Sequence, residues 1–133
     1  MKKIIIKLLA VSFFFGLGLP RLSFATEVGT NVHITGTIIR VQSYVTADNA
    51  EVTRYNISRP YIDGQYVRSA WLKACTGPSA DACQSAGLEM VSITPGVGLG
   101  SKIDAYGLIT TISRKRYYST YYLDATADIA PIN

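Results

Sequence analysis

Two stretches of the chain, "GTNVHITGTII" at residues 29–39 and "GSKIDAYGLIT" at residues 100–110, share one pattern that decides the fold class. Both read G-[ST]-x-[VI]-x-[IA]-x-G-x-I, and this alternation of apolar positions predicts half-buried β-strands. Each stretch carries a glycine in the middle of the strand, Gly36 and Gly107. Such glycines typically mark a bulge or a strong bend, which coils a strand round a small barrel.

Within the first stretch, the alternation of apolar and polar residues also shifts by one position. Its apolar residues occupy even positions up to Ile38 and odd positions from Ile39 to Val41. One extra residue in a strand shifts the alternation in this way, so the sequence predicts a β-bulge at Ile38–Ile39.

The segments between and after these stretches complete the order of elements. Residues 51–58 and 64–74 are rich in β-branched and aromatic side chains, which favour strands, and residues 75–87 can form a short helix. A final hairpin is predicted from strands 102–112 and 117–125. Three strands, a helix and two strands is the order of the OB-fold, a mainly β, five-stranded Greek-key barrel with its helix between strands 3 and 4. A β-sandwich would show a similar alternation and is the alternative.

The N-terminal residues have the layout of a secretory signal peptide. Two lysines precede an apolar run at residues 4–19, and Ser23 and Ala25 place small residues at a cleavage site. A transmembrane anchor is the alternative, but the run is short and is interrupted by a lysine. We therefore predict a signal peptide at residues 1–25 and a single secreted or periplasmic domain at residues 26–133.

Removal of this segment changes the charge of the protein. The chain has 13 basic and 9 acidic residues, a net charge of +4, and four of the basic residues lie in the predicted signal peptide. The mature domain would therefore be neutral. It would have no overall field to attract nucleic acid or an anionic membrane surface.

The chain contains two cysteines, Cys75 and Cys83. In an exported protein an isolated pair of cysteines usually forms a structural disulfide, which we predict here. The alternative, a redox pair, normally has two residues between its cysteines, whereas this pair has seven.

The residues needed for common catalytic chemistry are largely missing. His33 is the only histidine and lies in a predicted strand, so a triad or a histidine metal site would depend on it alone. The stretch "GVGLGSK" at 96–102 has the order Gly-Ser-Lys rather than Gly-Lys-Ser and precedes a strand, which excludes a phosphate-binding loop. We therefore expect a protein that is not an enzyme and needs neither cofactor nor metal.

The stretch "SRKRYYSTYYLDA" at residues 113–125 combines cations with tyrosines. In an OB-fold the loop between the last two strands frames the binding face, and tyrosine rings stack on sugars while cations pair with acidic groups. The candidate ligand-binding residues are three cations at the hairpin tip and one same-face pair of tyrosines: Arg114, Lys115, Arg116, Tyr118 and Tyr122. The alternative is a solvated tip with packed tyrosines.

With its signal peptide, its mature length near one hundred residues, one disulfide and the β-β-β-α-β-β order, the chain resembles the OB-fold B (binding) subunits of bacterial AB5 toxins. The resemblance implies a glycan-binding subunit that forms a ring and carries a separate toxic chain. A second interpretation is a monomeric periplasmic β-barrel that binds another protein, such as an inhibitor or stress factor. A third and weaker one is capture of extracellular nucleic acid. We expect neither a cytoplasmic nucleic-acid partner nor a membrane span.

Overall fold

The structure, a computed structural model, describes residues 27–132. The signal peptide predicted over residues 1–25 and its cleavage site lie outside this range. The described residues form seven strands and one short helix. The strands are β1 (Asn31–Val45), β2 (Glu51–Ile62), β3 (Gln65–Tyr66), β4 (Ser69–Gly77), β5 (Lys102–Arg114), β6 (Ser119–Ala125) and β7 (Ala130–Pro131), and the helix is α1 (Ala80–Ser85).

The five long strands close into a barrel. They are hydrogen-bonded in the order β1-β2-β4-β6-β5, and β5 pairs back onto β1. The β4–β6 pair is parallel, whereas the other four pairs are antiparallel. The short strands β3 and β7 extend the sheet by pairing with β2 and β5. Helix α1 lies between β4 and β5, which are the third and fourth of the five barrel strands. The predicted OB-like barrel with one short helix is therefore confirmed.

Alternate residues of the barrel strands point inward and form one apolar core. Ile34, Leu72 and Leu123 are among its fully buried side chains, and the core continues across all five barrel strands. Burial of each such side chain contributes about 1.5–3 kcal/mol. The other residues of each strand point outward, so the outer face of the barrel carries polar and aromatic side chains.

Gly36 lies where β1 bends. The β1–β2 register shifts between Thr35 and Thr37, and the backbone of Gly36 has a φ of +156°. A Cβ at this position would collide with the side chain of Ile57 and would lie 2.9 Å from the carbonyl oxygen of Ser58. The predicted bend is therefore confirmed, and close packing of the two strands requires glycine there.

Two further register shifts bend the barrel strands. One lies between Ile38 and Arg40, which confirms the bulge predicted at Ile38–Ile39. The other lies in β5 between Ile109 and Thr111, and not at the predicted Gly107. Gly107 instead allows close packing, since a Cβ there would lie 3.1 Å from the carbonyl oxygen of Asp124.

The predicted disulfide between Cys75 and Cys83 is confirmed, and it joins β4 to α1. The side chain of Ser79 caps the helix by accepting a hydrogen bond from the backbone N–H of Ala82 (3.1 Å). Both cysteines belong to a small second cluster of buried apolar residues that lies under the helix. This cluster covers one end of the outer face of the barrel.

Two regions differ from the sequence-based prediction. Strand β2 continues to Ile62, past the predicted end, and the turn that follows uses the positive φ values of Asp63 and Gly64. The stretch "LEMVSI" at residues 88–93 has the composition of a short strand, but it makes only isolated bridges through Met90 and Ile93. Within residues 27–132, no helix has the length and apolar composition that are needed to cross a lipid bilayer.

Candidate functional site

A shallow groove of about 300 Å³ lies on the outer face of the barrel. All five barrel strands contribute to its lining, which includes three aromatic side chains, Tyr44, Trp71 and Tyr122. The lining residues are Tyr44, Arg54, Trp71, Leu72, Lys73, Thr110, Thr111, Tyr122, Leu123 and Asp124. The groove is therefore a composite of residues that are far apart in sequence.

The alternation of β4 explains why Trp71 and Lys73 face the groove. Ala70, Leu72 and Ala74 are completely buried, so the residues between them must point outward. Trp71 and Lys73 are accordingly only partly buried. The inner face of β4 thus contributes residues to the core, and its outer face forms the centre of the groove.

The register of the neighbouring strands brings the other groove residues to Trp71 and Lys73. Arg54 of β2 lies directly opposite Lys73 on one side of β4. On the other side, Tyr122 of β6 lies opposite Trp71, and Asp124 lies opposite Lys73. Neighbouring strands of a sheet lie about 4.7–4.9 Å apart, so side chains that are opposite each other on the same face form one continuous surface.

The groove has an uneven charge distribution. Arg54 and Lys73 are two cations on directly paired positions, an arrangement that costs stability by itself. The guanidinium of Arg54 lies over the ring of Trp71, 4.7 Å from its centroid. Asp124 is the one carboxylate in the groove lining. Burial raises the pKa of Asp124 above its ordinary value, and Lys73 opposes that shift by favouring the charged form.

These groups suit the recognition of a sugar that carries an acidic group. Flat aromatic faces pack against the C–H face of a sugar ring, and a guanidinium or ammonium pairs with a carboxylate. Hydroxyl groups of a sugar could bond with Thr111 and Asp124, which are within the groove lining. The arrangement combines an aromatic surface with two cations and one carboxylate, which are groups that can bind a polar ligand.

The five candidate residues from the sequence fall into two groups. Tyr122 lines the groove. The other four, Arg114, Lys115, Arg116 and Tyr118, lie at the end of β5 and in the turn that follows it, a region we call the hairpin tip (residues 114–118). Tyr118 is four residues from Tyr122, which corresponds to about 13 Å of extended chain. The structure therefore does not bring the five residues together at one groove.

The hairpin tip is a small cation–aromatic surface of its own. The backbone N–H of Lys115 donates to the carbonyl of Tyr118 (2.8 Å) and closes the turn. The guanidinium of Arg116 lies 5.6 Å from the ring centroid of Tyr117, and that of Arg68 lies 5.8 Å from the centroid of Tyr118. The tip thus presents two exposed tyrosines with cations beside them.

The predicted alternation of the tyrosines holds within β6 and fails in the turn. Tyr121 is buried in the core, while Tyr122 faces the groove on the opposite side of the strand. If the alternation of β6 continued back to residue 117, Tyr117 would share the buried face of Tyr121, but it is 81% exposed. The reason is that Tyr117 lies in the turn, where the period of two no longer applies.

Of the ten lining residues, the sequence identified only Tyr122; the aromatic and charged residues that it missed are Tyr44, Arg54, Trp71, Lys73 and Asp124. A signal was present for Trp71, because the only tryptophan of the chain occupies an outward position between small or apolar inward residues. No such signal marks Tyr44 or Asp124. They reach the groove through strand pairing, which places Asp124 opposite Lys73 and Tyr44 at the end of β1.

His33 lies on the surface of the β1–β5 seam, away from the groove. Its Nε2 atom is hydrogen-bonded to the carboxylate of Asp104, and its ring lies 4.9 Å from the ring of Tyr106, centroid to centroid. The backbone N–H of His33 donates to the carboxylate of Asp63 (2.9 Å). Between residues 27 and 132 there is no group of three His, Cys, Asp or Glu side chains that could hold a metal ion.

Comparisons with known proteins found no matching family model, no similar curated protein and no similar solved structure.

Proposed function

We propose that this protein is a secreted or periplasmic, non-enzymatic binding protein whose outer groove takes an acidic glycan. The observation that carries the proposal is the pairing of Arg54 with Lys73 beside the partly exposed side chain of Trp71. Two cations on directly opposite positions destabilise a sheet, so their presence next to an aromatic platform is better explained by a ligand than by folding. The disulfide between Cys75 and Cys83 supports an oxidising compartment.

In this proposal the sugar ring packs on Trp71 and Tyr122, and its acidic group binds Lys73 and Arg54. The half-buried carboxylate of Asp124 accepts hydrogen bonds from sugar hydroxyls. The resemblance to toxin B subunits is consistent with glycan binding by an OB-like barrel. The proposal does not extend to a ring or a separate toxic chain, because α1 has six residues and is shorter than the helices that line the pore in those subunits.

The test uses the single tryptophan as the reporter. A glycan array identifies the ligands of the purified domain, and each hit is then titrated while the fluorescence of Trp71 is followed. We expect acidic glycans to bind and to change the emission, and Lys73→Ala to weaken binding at least tenfold. The matched control is Lys102→Ala, which removes an exposed cation from a strand position outside the groove lining. Equal loss in both variants, or binding of neutral glycans alone, would contradict the acidic-glycan proposal.

A second candidate function is binding of an acidic partner protein, and the hairpin tip favours it. Exposed tyrosine and arginine side chains at a protruding turn are typical of residues that dominate protein interfaces. Tyr117 and Tyr118 with Arg116 and Arg68 have this composition. Pull-down from an exported-protein fraction with the parent and with a tip variant would test it. A partner protein that the parent and the tip variant capture equally would show that the hairpin tip does not bind it.

A further inference from the structure

Within the part of the chain that the structure describes, the second half of β1 pairs with a strand on one side only. Residues Asn31–Thr37 pair with β5, and Ile38 exchanges backbone hydrogen bonds with Ser101 and Gly100. Beyond the bulge, Arg40–Val45 pair with β2 on one side. On their other side, no strand within residues 27–132 pairs with them. We call residues 40–45 the β1 edge.

The hydrogen bond at the end of the hairpin shows which backbone groups point outward. The N–H of Thr46 donates to the carbonyl of Ala50 on the β2 side (2.9 Å). In an antiparallel pair the residues alternate between those that bond to the partner and those that point away from it. Val41, Ser43 and Val45 therefore direct three N–H and three C=O groups away from β2.

Apart from the bulge at Ile38–Ile39 that precedes it, the β1 edge lacks the features that usually protect such an edge. Protein edges commonly carry lysines, prolines or bulges that prevent further pairing. The only charged residue here is Arg40, and the segment "RVQSYV" contains neither lysine nor proline. Val41 and Val45 are 40% and 62% exposed. An exposed β-branched edge of this kind is suited to pairing with another strand.

We propose that the β1 edge pairs antiparallel with the β1 edge of a second copy of this chain, with the two-fold axis at Ser43. In this register Ser43 lies opposite the partner's Ser43, and Val41 lies opposite the partner's Val45. All six outward backbone groups then bond with one another. The two sheets join into one continuous sheet.

The sequence of the edge is complementary to itself in this register. The two valine pairs bring exposed apolar side chains together on one face. On the other face Tyr44 lies opposite the partner's Gln42. Each Arg40 lies opposite Thr46, so the two guanidinium groups are separated by six residues, or about 20 Å. No like charges face each other in this register. For this reason we infer that the strand that pairs with the β1 edge comes from a second copy of the chain.

The same two-fold axis has a consequence for the groove. Antiparallel pairing about an axis perpendicular to the sheet keeps the same face of both copies on one side. The two grooves, each bordered by Tyr44, would therefore lie on the same face of the dimer. This consequence, which is bivalent glycan binding, rests on the proposed function, whereas the dimer does not.

The first experiment measures the mass of the mature protein in solution by sedimentation equilibrium, from about 1 μM to about 1 mM. The interface is smaller than that of a standard stable complex, so we expect a reversible monomer–dimer equilibrium in the micromolar range or weaker. Ser43→Pro removes an outward N–H and should raise the dissociation constant at least tenfold. Proline is tolerated at such an edge position because the lost N–H makes no bond within the monomer.

The matched control is Ser43→Ala. This variant removes the contact between the hydroxyls of Ser43 and Thr53 (3.2 Å) but keeps the backbone N–H, so it should dimerise like the parent. Where Ser43→Pro fails to fold, the double variant Val41→Lys/Val45→Lys replaces it, since the new lysines would face each other across the axis. A protein that stays monomeric throughout, or any oligomer that these variants leave intact, overturns the proposal.

A second experiment locates the axis. Cys75 and Cys83 are paired and buried, so Ser43→Cys introduces one free thiol. Directly opposite residues in a hydrogen-bonded pair are about 5.5 Å apart at Cα, within the range of a disulfide. Mild oxidation should yield a covalent dimer from Ser43→Cys and none from the control Thr111→Cys, which is exposed on β5. Equal cross-linking of both variants, or none of either, overturns the register.

Discussion

The guanidinium of Arg54 lies over the indole ring of Trp71, 4.7 Å from its centroid, although the two residues come from different strands. Arg54 is also opposite Lys73, so its charge has an unfavourable neighbour on the same face. The ring of Trp71 offsets part of this repulsion. A partly exposed cation–π contact contributes about 0.5–1 kcal/mol.

A double-mutant cycle should detect that contact. We expect Arg54→Ala and Trp71→Ala together to cost less than the sum of the single changes, by about 0.5–1 kcal/mol. Urea unfolding of the parent, the two single variants and the double variant gives this coupling energy. The pair Arg40→Ala and Trp71→Ala is the control, because Arg40 is exposed on β1. A coupling energy as small as that of the control pair would show that the contact does not contribute to stability.

Gly36→Val should destabilise the barrel by about 3 kcal/mol, since valine adds both backbone strain and overpacking. Its Cβ would meet Ile57 and the backbone of Ser58. Gly98→Val is the control, because a Cβ there has no atom within 4 Å. Denaturant melts of both variants measure the effect. A neutral Gly36→Val would mean that β1 can bend without a glycine.

Adjacent tyrosines of β6 should behave differently. Tyr121→Ala removes a buried core side chain and should cost about 3–5 kcal/mol of stability. Tyr122→Ala alters the groove, so it should cost less stability and should weaken glycan binding. Paired melts and Trp71 fluorescence titrations separate the two effects. If Tyr122→Ala lost stability as Tyr121→Ala does but kept full affinity, Tyr122 would be a packing residue only.

The three cations of the hairpin tip should contribute little to stability. Changing Arg114, Lys115 and Arg116 together to serine should leave the melting temperature nearly unchanged, because exposed charges contribute little. Binding of an acidic ligand at the tip should fall at least tenfold, which corresponds to about 1.4 kcal/mol. Titrations of the parent and the triple variant with the same ligand measure this. Unchanged affinity for every ligand of the parent would show that the tip is only solvated.

Asp124→Asn should stabilise the protein at neutral pH. Burial raises the pKa of Asp124 in the folded state above its usual value of 3.8, so the charged carboxylate is less favourable in the folded than in the unfolded chain. Its cost is present above the folded-state pKa and disappears as the pH falls below 3.8, where both states are protonated. Loss of the attraction to Lys73 reduces the gain but does not reverse it.

Thermal melts between pH 3 and pH 7 test this expectation. The stability difference between Asp124→Asn and the parent should grow as the pH rises through the folded-state pKa. Asp48→Asn is the control, because Asp48 is exposed in the β1–β2 loop. A parent that is more stable than Asp124→Asn at pH 7 would show that the pairing with Lys73 outweighs desolvation.

Local patterns in the sequence were sufficient for the fold class. The alternation on either side of Gly36, the phase change at Ile38 and the helix signals around Ser79 depend on neighbouring residues alone. The disulfide followed from there being only two cysteines. These signals act over a few residues, where backbone sterics, capping and burial of one strand face determine the outcome. The prediction failed in turns: Tyr117 lies in the turn before β6, and its side chain is exposed although the alternation of the strand would bury it.

The groove and the β1 edge depended on the tertiary structure. Trp71, Arg54 and Asp124 become neighbours through strand pairing and register, which a local pattern does not specify. Among residues 27–132, no strand pairs with the outer side of the β1 edge, because β5 begins at Lys102, opposite Thr37, and does not extend along it. The sequence by itself thus determined which elements form and which face of each is apolar. Only the closure of the barrel decided which outward side chains meet, because contacts between distant strands depend on curvature and stagger as well as on composition.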